Sequence, residues 1–414
     1  MLVRKERELT KFPSTLLALL AAGAAPSALA QSTESQEIVV TGRSLKDTEA
    51  ALKACLARNC PPDEDIAATL AHAENQFLAG DYKDSRTTLL RSIGRNRKHG
   101  DQYPVEVSGL FRANSRIAEH VGEAKNYQLS VLDMRNTLED ALGEKDPRTM
   151  VAQIEVGDSR AKLGFPDEAE RIYKDVENLA IANGQNRVAM FSRVRQALLA
   201  QTRAEGSNLD SDYRGARALL DNIIANPLPG GEDFALVAKV MRARSDRKAG
   251  DASSTDAILK DFAARGGANR PMLLFSEPIK RIDMAQDLRN SQPAPNSLLR
   301  QTALNSVGKW ADVGFWIGSD GRVSDIEVLR GEGTRQWLKP VFDQIKTRVY
   351  APLRRTDNDA APGFYMIERY SLTGRWTNDA TGTHMRRREA TPRIERLDIT
   401  PDNYQRPVVD QSGS

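Results

Sequence analysis

Residues 63–290 place apolar side chains at every third or fourth position, which is the spacing that one face of an α-helix requires. The pattern runs from Ile66 to Phe77, is interrupted at Gly80 and resumes at Tyr82. Glycine at such an interruption commonly ends a helix, because it adopts left-handed backbone angles without steric cost. The stretch therefore predicts two helices joined by a short turn.

The same interruption recurs along the chain at nearly constant intervals. It falls at Gly80, Gly122, Gly164, Gly206 and Gly250, which are 42, 42, 42 and 44 residues apart. Nine residues beyond the glycine, four of the five units carry an apolar residue, and these are Leu89, Val131, Tyr173 and Leu259. The fourth unit has a short insertion before Tyr213. Such a period predicts a solenoid of helical hairpins. An irregular all-helical domain with coincidental glycine spacing is the alternative.

A breaker-rich segment at 291–299 predicts a linker, and beyond it the apolar period changes from about four to two. Alternating apolar residues at 313–317 predict a first strand, and those at 326–328 predict a second. Between them, Asp320-Gly321 predicts a two-residue hairpin turn. The chain therefore changes from helices to a small sheet after the linker.

An amphipathic helix and a last strand complete this second domain. The helix is predicted by apolar residues at every fourth position, namely Trp337, Val341, Ile345 and Val349. Pro340 fits only in the first turn of that helix. The last strand covers 363–372. The fold class is therefore mainly α, with a small α+β domain at 300–376 in the order β-β-α-β and a polar tail at 377–414 that is predicted to be disordered.

The first thirty residues have the pattern of a cleaved export signal. Basic residues precede the apolar run Leu16–Ala25, and Ala28-Leu29-Ala30 provides a small-x-small cleavage site. The mature chain is therefore expected to begin near Gln31 and to act in the periplasm. An uncleaved N-terminus, which would anchor the protein in the inner membrane, is the alternative.

The chain has two cysteines, both in the segment 31–62 between the signal and the repeats. In an oxidising compartment Cys55 and Cys60 are expected to form a disulfide. Residues five apart on a continuous helix do not meet, so the helix must end near Arg58, with Asn59 in a left-handed cap. A redox pair and half of a metal site are the alternatives.

The third helical unit resembles the tetratricopeptide repeat. Its small and aromatic residues fall where that family places its packing residues, at Leu163, Gly164, Glu168, Ala169, Tyr173 and Ala180. The resemblance implies an array that binds peptide or protein segments in a concave groove.

The segment 300–376 resembles the C-terminal domain of TonB-type energy transducers. The resemblance depends on Asp320-Gly321-Arg322-Val323, Ile326-Glu327-Val328 and Tyr350-Ala351-Pro352. It implies a periplasmic domain that captures an extended segment by strand addition. The candidate edge for that addition consists of Phe364, Tyr365, Met366, Ile367, Glu368, Arg369 and Tyr370. The chain departs from the family in having no Pro-rich stalk, which leaves binding as the function that carries over.

A short extended stretch lies just after the expected cleavage site. It consists of Glu37, Ile38, Val39, Val40, Thr41 and Gly42. It resembles the TonB box of TonB-dependent receptors, which implies pairing with a TonB-type domain, either that of this chain or that of a true transducer. A plain spacer is the alternative.

Residue patterns for catalysis, metals and cofactors are absent from the sequence. The four histidines lack metal-ligand spacing, and no phosphate loop, dinucleotide fingerprint or glycine-flanked nucleophilic serine occurs. The formal net charge of +3 does not favour nucleic acid as a partner. Weak contact with anionic lipid is suggested by Arg386, Arg387 and Arg388. The alternative is that these arginines form an ordinary solvated run of charges.

These patterns together favour a non-enzymatic periplasmic adaptor for protein–protein interaction, associated with TonB-dependent receptors or with a TonB transducer. A membrane-anchored transducer variant is the first alternative. An envelope enzyme that uses the repeat groove as its cleft is the second. The sequence predicts no cofactor and does not indicate an oligomeric state.

Overall fold

The computed structural model describes residues 44–264, 266–280, 309–331, 335–354, 363–373, 376–378, 386–388 and 393–400. The expected signal at 1–30, the box-like segment 37–42 and the linker 291–299 lie outside the described residues. Within the described part of the chain, no helix combines the length and the apolar character needed to cross a membrane.

Among the described residues up to 264 lie eleven α-helices and one short 3₁₀ helix, Arg97–His99. The α-helices are α1 (Leu45–Ala57), α2 (Pro62–Ala79), α3 (Tyr82–Asn96), α4 (Pro104–His120), α5 (Ala124–Leu142), α6 (Pro147–Lys162), α7 (Pro166–Ala182), α8 (Asn186–Ser207), α9 (Asp210–Ala225), α10 (Glu232–Lys248) and α11 (Ser253–Ala264). From α2 onward they form five successive hairpins, as the repeat predicted. We call the first helix of each hairpin (α2, α4, α6, α8, α10) its A helix and the second its B helix.

Four of the five predicted glycines form the turn between an A and a B helix. Gly80, Gly122, Gly164 and Gly250 all have positive φ, between 80° and 95°. The prediction for Gly206 was wrong, because α8 continues through it to Ser207. Asn208 adopts the left-handed conformation there instead, with φ of 54°. Asparagine tolerates this region better than other non-glycine residues, so the turn moves by two residues.

Neighbouring hairpins share their apolar cores. Leu89, Val131 and Tyr173, the residues nine positions past the glycines in the first three units, are all buried. Val131 packs in a cluster that joins α2 through α6, and Tyr173 packs in one that joins α6 through α10. Because each core draws on more than one hairpin, no single unit buries its apolar face alone.

The corner between α1 and α2 confirms the predicted disulfide. Cys55 and Cys60 are bonded, α1 ends at Ala57, and Asn59 has a positive φ of 51°. Pro62 then occupies the first turn of α2, where its missing N–H has no helical partner to lose. Since both sulfurs belong to the disulfide, neither is available to a metal in this state.

The helical region ends earlier than the sequence pattern predicted. α11 stops at Ala264, and residues 266–280 are not helical. A short strand, β1 (Leu273–Phe275), pairs instead with β4 (Val349–Tyr350) in the C-terminal domain. The apolar run Leu273-Leu274-Phe275 therefore belongs to the sheet domain, and the boundary at 290 was misplaced.

Among the described residues, the C-terminal domain contains the three predicted strands, the predicted helix and four further strands. They are β2 (Trp310–Gly318), β3 (Val323–Gly331), α12 (Lys339–Lys346), β4, β5 (Gly363–Thr373), β6 (Trp376–Asn378), β7 (Arg386–Arg388) and β8 (Arg393–Asp398). The main sheet is antiparallel in the order β3-β2-β5-β8. Pro340 lies in the first turn of α12 as expected, but Val349 belongs to β4 rather than to the helix.

Two further predictions for this domain need correction. The β2–β3 turn comprises Ser319, Asp320 and Gly321, because Gly318 N–H donates to the Arg322 carbonyl across it. The tail is not disordered throughout, because β8 pairs with β5. Residues 401–414 lie outside the described part.

Candidate protein interaction surface

Ion pairs join neighbouring A helices at an interval of one repeat. Arg112 on α4 donates to Glu155 on α6 over 3.0 Å, a separation of 43 residues along the chain. Lys162 on α6 pairs with Glu119 on α4, and Lys248 on α10 pairs with Glu205 on α8, again 43 residues apart. Repeated pairs of this kind fix how each A helix lies beside the next and make their shared surface strongly polar.

A charged cluster lies at the middle of this surface. The carboxylate of Asp158 accepts hydrogen bonds from Tyr173 over 2.7 Å and pairs with Arg195 over 2.9 Å. Burial raises the pKa of Asp158 and of Glu155, and it outweighs the opposing effect of the nearby arginines. Such displaced pKa values mark groups that protein surrounds on several sides.

Four charged residues of the A helices, Asp158 among them, occupy one position of the repeat. Each lies six residues before the glycine turn of its hairpin, and together we call them the inner row: Glu74, Arg116, Asp158 and Arg244. Desolvation raises the pKa of Glu74, lowers that of Arg116 and lowers that of Arg244 to about 10.

The inner row is nevertheless open to solvent in part. The side chains of Glu74 and Arg116 are exposed, and those of Asp158 and Arg244 are half-buried. Water reaches each of these charges, although protein lies close around it. The A helices therefore present a polar surface that is partly open to solvent.

At α10 this surface already holds an extended segment of the chain. Arg244 Nε donates to the Leu274 carbonyl over 3.1 Å, and its Nη2 donates to the Leu273 carbonyl. The guanidinium of Arg247 lies 4.9 Å from the ring centre of Phe275, and Leu274 packs against Val240. One face of α10 thus binds β1 through its main chain and through apolar contacts.

The sheet domain also binds the first hairpin. Arg369 on β5 is fully buried and forms a two-pronged pair with Asp312 on β2, at 2.6 and 2.9 Å. The same guanidinium donates to the carbonyls of Phe77 and Leu78, at 2.7 and 2.6 Å. These carbonyls lie at the C-terminal end of α2, where the helix dipole favours a cation.

Aromatic contacts complete this junction. The guanidinium of Arg369 lies 3.9 Å from the ring centre of Trp310, which also packs directly against Gly80. The hydroxyl groups of Tyr82 and Ser371 lie 3.3 Å apart. The sheet domain therefore contacts the first hairpin at α2 and α3 and the last at α10.

A second buried ion pair lies on the other face of β5. Arg348 donates to Glu368 at 2.9 and 3.0 Å, and it also donates to the hydroxyls of Tyr350 and Tyr370. Burial alone raises the pKa of Glu368, but Arg348 and Arg396 together hold it below its usual value. Every charge in this set is paired, which favours a structural role.

The predicted strand-addition edge is largely covered. Residues 368–373 of β5 pair with β8, and Ile367 exchanges hydrogen bonds with Thr400 and Ile399. Glu368, Arg369 and Tyr370 are therefore not available for strand addition in this state. On the other side, the whole strand from Gly363 to Ser371 pairs with β2. Any addition at Phe364, Tyr365 or Met366 stays a prediction.

Other predicted sites lie where the structure gives no test. The segment 37–42 is outside the described residues, and for Arg386–Arg388 only the backbone, as β7, is described. Sequence reasoning missed Arg244 altogether, and it named Arg369 only as part of the strand-addition edge, not as the residue that binds the end of α2. The charged pair Glu368-Arg369 inside the apolar strand 363–372 was a usable signal for Arg369, whereas no local pattern distinguished Arg244.

No protein-family model matches this chain, and a comparison with curated proteins likewise gives no match. Among solved structures, the chain is similar to BtubC (BKLC) from P. vanneervenii, with a TM-score of 0.42 and 13% identity, covering 58% of this chain and 95% of that one. A putative kinesin light chain of Podosopora anserina with nearly identical TPR-like repeats gives a TM-score of 0.37 and 14% identity, covering 49% and 95%. Scores of this size imply no function, and the hairpin repeat follows from the helices of the chain itself.

Proposed function

We propose that this protein is a non-enzymatic adaptor whose helical array holds extended segments of partner proteins. The observation that supports this most directly is the face of α10, where Arg244, Arg247 and Val240 bind the extended segment Leu273–Phe275. The array thus has the chemistry to hold main chain and apolar side chains together. Charged residues at the same repeat position extend that polar surface along the A helices.

The more specific part of the proposal concerns the localisation of the protein and the pathway in which it works. We infer a periplasmic protein that works beside TonB-dependent receptors or a TonB transducer. The signal-like pattern of residues 1–30, the Cys55–Cys60 disulfide and the β-β-α-β order after residue 309 support it. The segment 37–42 is then the extended ligand that a TonB-type domain binds.

Capture from an envelope extract tests the adaptor function. The chain from residue 31 onward, with its disulfide intact, is immobilised and exposed to solubilised envelope proteins. We expect the same specific partners in repeated captures. A reproducible absence of partners would contradict the proposal.

A double substitution tests the TonB part separately. Val39→Pro with Val40→Pro removes two backbone donors from the box-like segment. We expect weaker binding to a purified TonB C-terminal domain, while partners of the array are still captured. A matched control places two prolines at Ser32 and Thr33, outside the box. Equal binding of both variants to the TonB C-terminal domain would show that the segment 37–42 is a spacer.

The N-terminus of the exported protein separates the adaptor from an anchored transducer. We expect N-terminal sequencing of protein purified from the envelope to begin near Gln31. A chain that retains residues 1–30 and sediments with the inner membrane would favour the transducer.

A further inference from the structure

The main sheet has two outer strands, β3 and β8. Neither is paired on its outer side with another strand of the described part of the chain. The ladder between β3 and β2 contains two register shifts, and Asp325 within β3 has a positive φ of 52°. Irregularities of this kind protect an edge strand from further pairing. β8, in contrast, pairs with β5 in one continuous register, so its outer side is a regular open edge.

Alternate residues of β8 direct their backbone groups away from β5. The Ile399 N–H donates to the Ile367 carbonyl over 3.0 Å, so the backbone groups of every second residue back to Arg393 also face β5. The backbone groups that face outward are those of Ile394, Arg396 and Asp398. Among the described residues they have no backbone partner on that side.

The most exposed part of this edge centres on Leu397. Its side chain is 39% exposed, and no other large apolar side chain in the described part of the sheet domain is exposed. Arg396 and Asp398 on either side of it are exposed as well, whereas residues 393–395 are half-buried. The edge thus offers an apolar side chain between two opposite charges, together with unpaired backbone groups.

A second copy of the chain can pair with this edge in only a few registers. In two antiparallel strands related by a two-fold axis, opposite residues must both direct their backbone groups towards the partner strand or both away from it. One residue then faces its own equivalent at the axis. Like charges would meet there in every register centred on a charged residue, which disfavours the centres Arg393, Glu395, Arg396 and Asp398.

Two uncharged centres remain, Ile394 and Leu397. A register centred on Ile394 sets Arg396 opposite Pro392, which has no N–H to donate, and Ile394 already packs against the core of its own sheet. A register centred on Leu397 brings the two exposed leucines together as a non-hydrogen-bonded pair, the kind in which side chains lie closest. It also places Arg396 opposite Asp398 of the second copy on both sides of the axis. The edge is therefore self-complementary in this register.

We propose that β8 pairs with β8 of a second copy, antiparallel and centred on Leu397, so that the protein forms a two-fold symmetric dimer with one continuous sheet. The two pairs of Arg396 with Asp398 each exchange two backbone hydrogen bonds across the axis. The guanidinium of Arg396 keeps its contact with Glu368, 3.6 Å away, because the pairing uses main chain and needs only opposite charges beside it.

This proposal does not depend on the adaptor function. In such a dimer, however, the helical array is present twice. A partner with two binding segments would therefore be held more tightly than by one copy.

Analytical ultracentrifugation of the full chain, with its disulfide intact, measures the association. We expect the average mass to rise with concentration towards twice that of the monomer. Leu397→Lys should weaken the association about tenfold or more, because two ammonium groups replace the two leucines at the axis. Leu219→Lys is the matched control, since Leu219 on α9 is also 39% exposed and lies outside the edge.

A thiol at the axis tests the register. The two native cysteines are bonded to each other, so Leu397→Cys adds the only free thiol of the chain. In the proposed register two such thiols lie within reach of a disulfide, and we expect mild oxidation to give a covalent dimer on a non-reducing gel. Leu219→Cys should give none. A chain that dimerises without this cross-link would overturn the register and the proposal with it.

The remaining outcomes also overturn the proposal. A chain that stays monomeric at every concentration would show that the edge does not associate. A dimer that Leu397→Lys leaves unchanged would form through another surface. Dimerisation that appears only after Val39→Pro with Val40→Pro would show that the segment 37–42 of the same chain occupies the edge instead. Circular dichroism verifies that each variant keeps the fold.

Discussion

Gly80 serves two purposes at the turn between α2 and α3. Its φ of 91° is in the left-handed region that favours glycine. A Cβ at this position would also lie only 2.5 to 2.8 Å from atoms of the Trp310 ring. Gly164 has the same backbone conformation, with φ of 92°, but nothing lies within 4 Å of its would-be Cβ.

This difference allows backbone strain and domain contact to be separated. We expect Gly164→Ala to lower the free energy of unfolding by about 1–2 kcal/mol, from the left-handed conformation alone. Gly80→Ala should cost more, because Trp310 must also move. Urea denaturation of both variants measures the difference. Equal losses would mean that Trp310 shifts at no cost and that the close contact is unimportant.

His120, at the end of α4, is buried beneath the same junction. Its ring lies 5.0 Å from those of Phe77 and Tyr82, and its Nε2 has no hydrogen-bond partner. Burial, followed by the charge of Arg369, lowers the pKa of His120 from 6.5 to about 4. The folded protein therefore keeps this histidine neutral.

The pH dependence of stability follows from that shift. Between pH 6.5 and 4 the unfolded chain binds a proton at His120 that the folded chain does not, so the free energy of unfolding falls as pH is lowered through this range. The loss from this group approaches about 3 kcal/mol. Denaturation at several pH values should show a shallower decline in His120→Gln, which retains all the carboxylates. An identical decline would contradict the assignment.

At the scale of elements, α1 is held to the array by few contacts. Only Thr48 and Cys55 of this helix are buried, and Thr48 lies 3.2 Å from both His72 and Asn75 on α2. The disulfide to Cys60 fixes the end of α1 against the start of α2. α1 thus covers the exposed side of the first hairpin, as terminal elements of repeat arrays do.

Removing the disulfide should loosen α1 selectively. A Cys55→Ser, Cys60→Ser variant is expected to lose about 2 kcal/mol or less, because the closed loop is short. Hydrogen exchange should speed up in residues 45–57, while amides of α6 keep their protection and serve as the internal control. Unchanged exchange in α1 would show that Thr48 and its partners suffice.

At the scale of the whole molecule, the sheet domain joins the two ends of the array. It binds the first hairpin through Arg369 and the last through β1 and Arg244. The hairpins between them are therefore linked at both ends. The charge of Arg369 is compensated by Asp312 and by the carbonyl end of α2, which is what makes its complete burial tolerable.

Loss of Arg369 should free one of these two junctions. Arg369→Met removes the Arg369 donors from the Leu78 and Phe77 carbonyls, of which Phe77 keeps the Gly80 N–H, and leaves Asp312 with Arg330 as its remaining cation, so we expect a loss of about 3–5 kcal/mol. Hydrogen exchange should increase at 76–82 but not at 240–248, and small-angle scattering should show expansion. Arg148→Ala, which breaks an exposed pair, should cost less than about 1 kcal/mol. Unaltered exchange at 76–82 would contradict the claim that Arg369 holds the sheet domain to the first hairpin.

Much of the local structure was predictable. The positive-φ glycines, the disulfide corner and the alternation in β2 each depend on residues close in sequence. The prediction failed where two nearby residues were both able to adopt the left-handed conformation of the turn, as with Gly206 and Asn208. It also failed at Leu273–Phe275, because a short apolar run fits a buried helix as well as a strand.

The candidate surface was less predictable. The repeat implied that charged residues of successive A helices lie side by side, but not that Arg244 would bind β1. Nor did the alternation in β5 show that both of its faces are buried. Its apolar face was evident from Met366, Tyr370 and Leu372, whereas the burial of Arg369 depends on carbonyls 291 and 292 residues away.

The sequence by itself determined where the chain turns and which periodicity each element has, because backbone sterics and side-chain spacing act over a few residues. The tertiary structure alone decided that β8 covers β5, that Arg369 joins the sheet to α2 and that Arg244 holds an extended strand. A buried charge is stable only if it has partners. Here those partners come from distant segments, which meet only when the domains pack together.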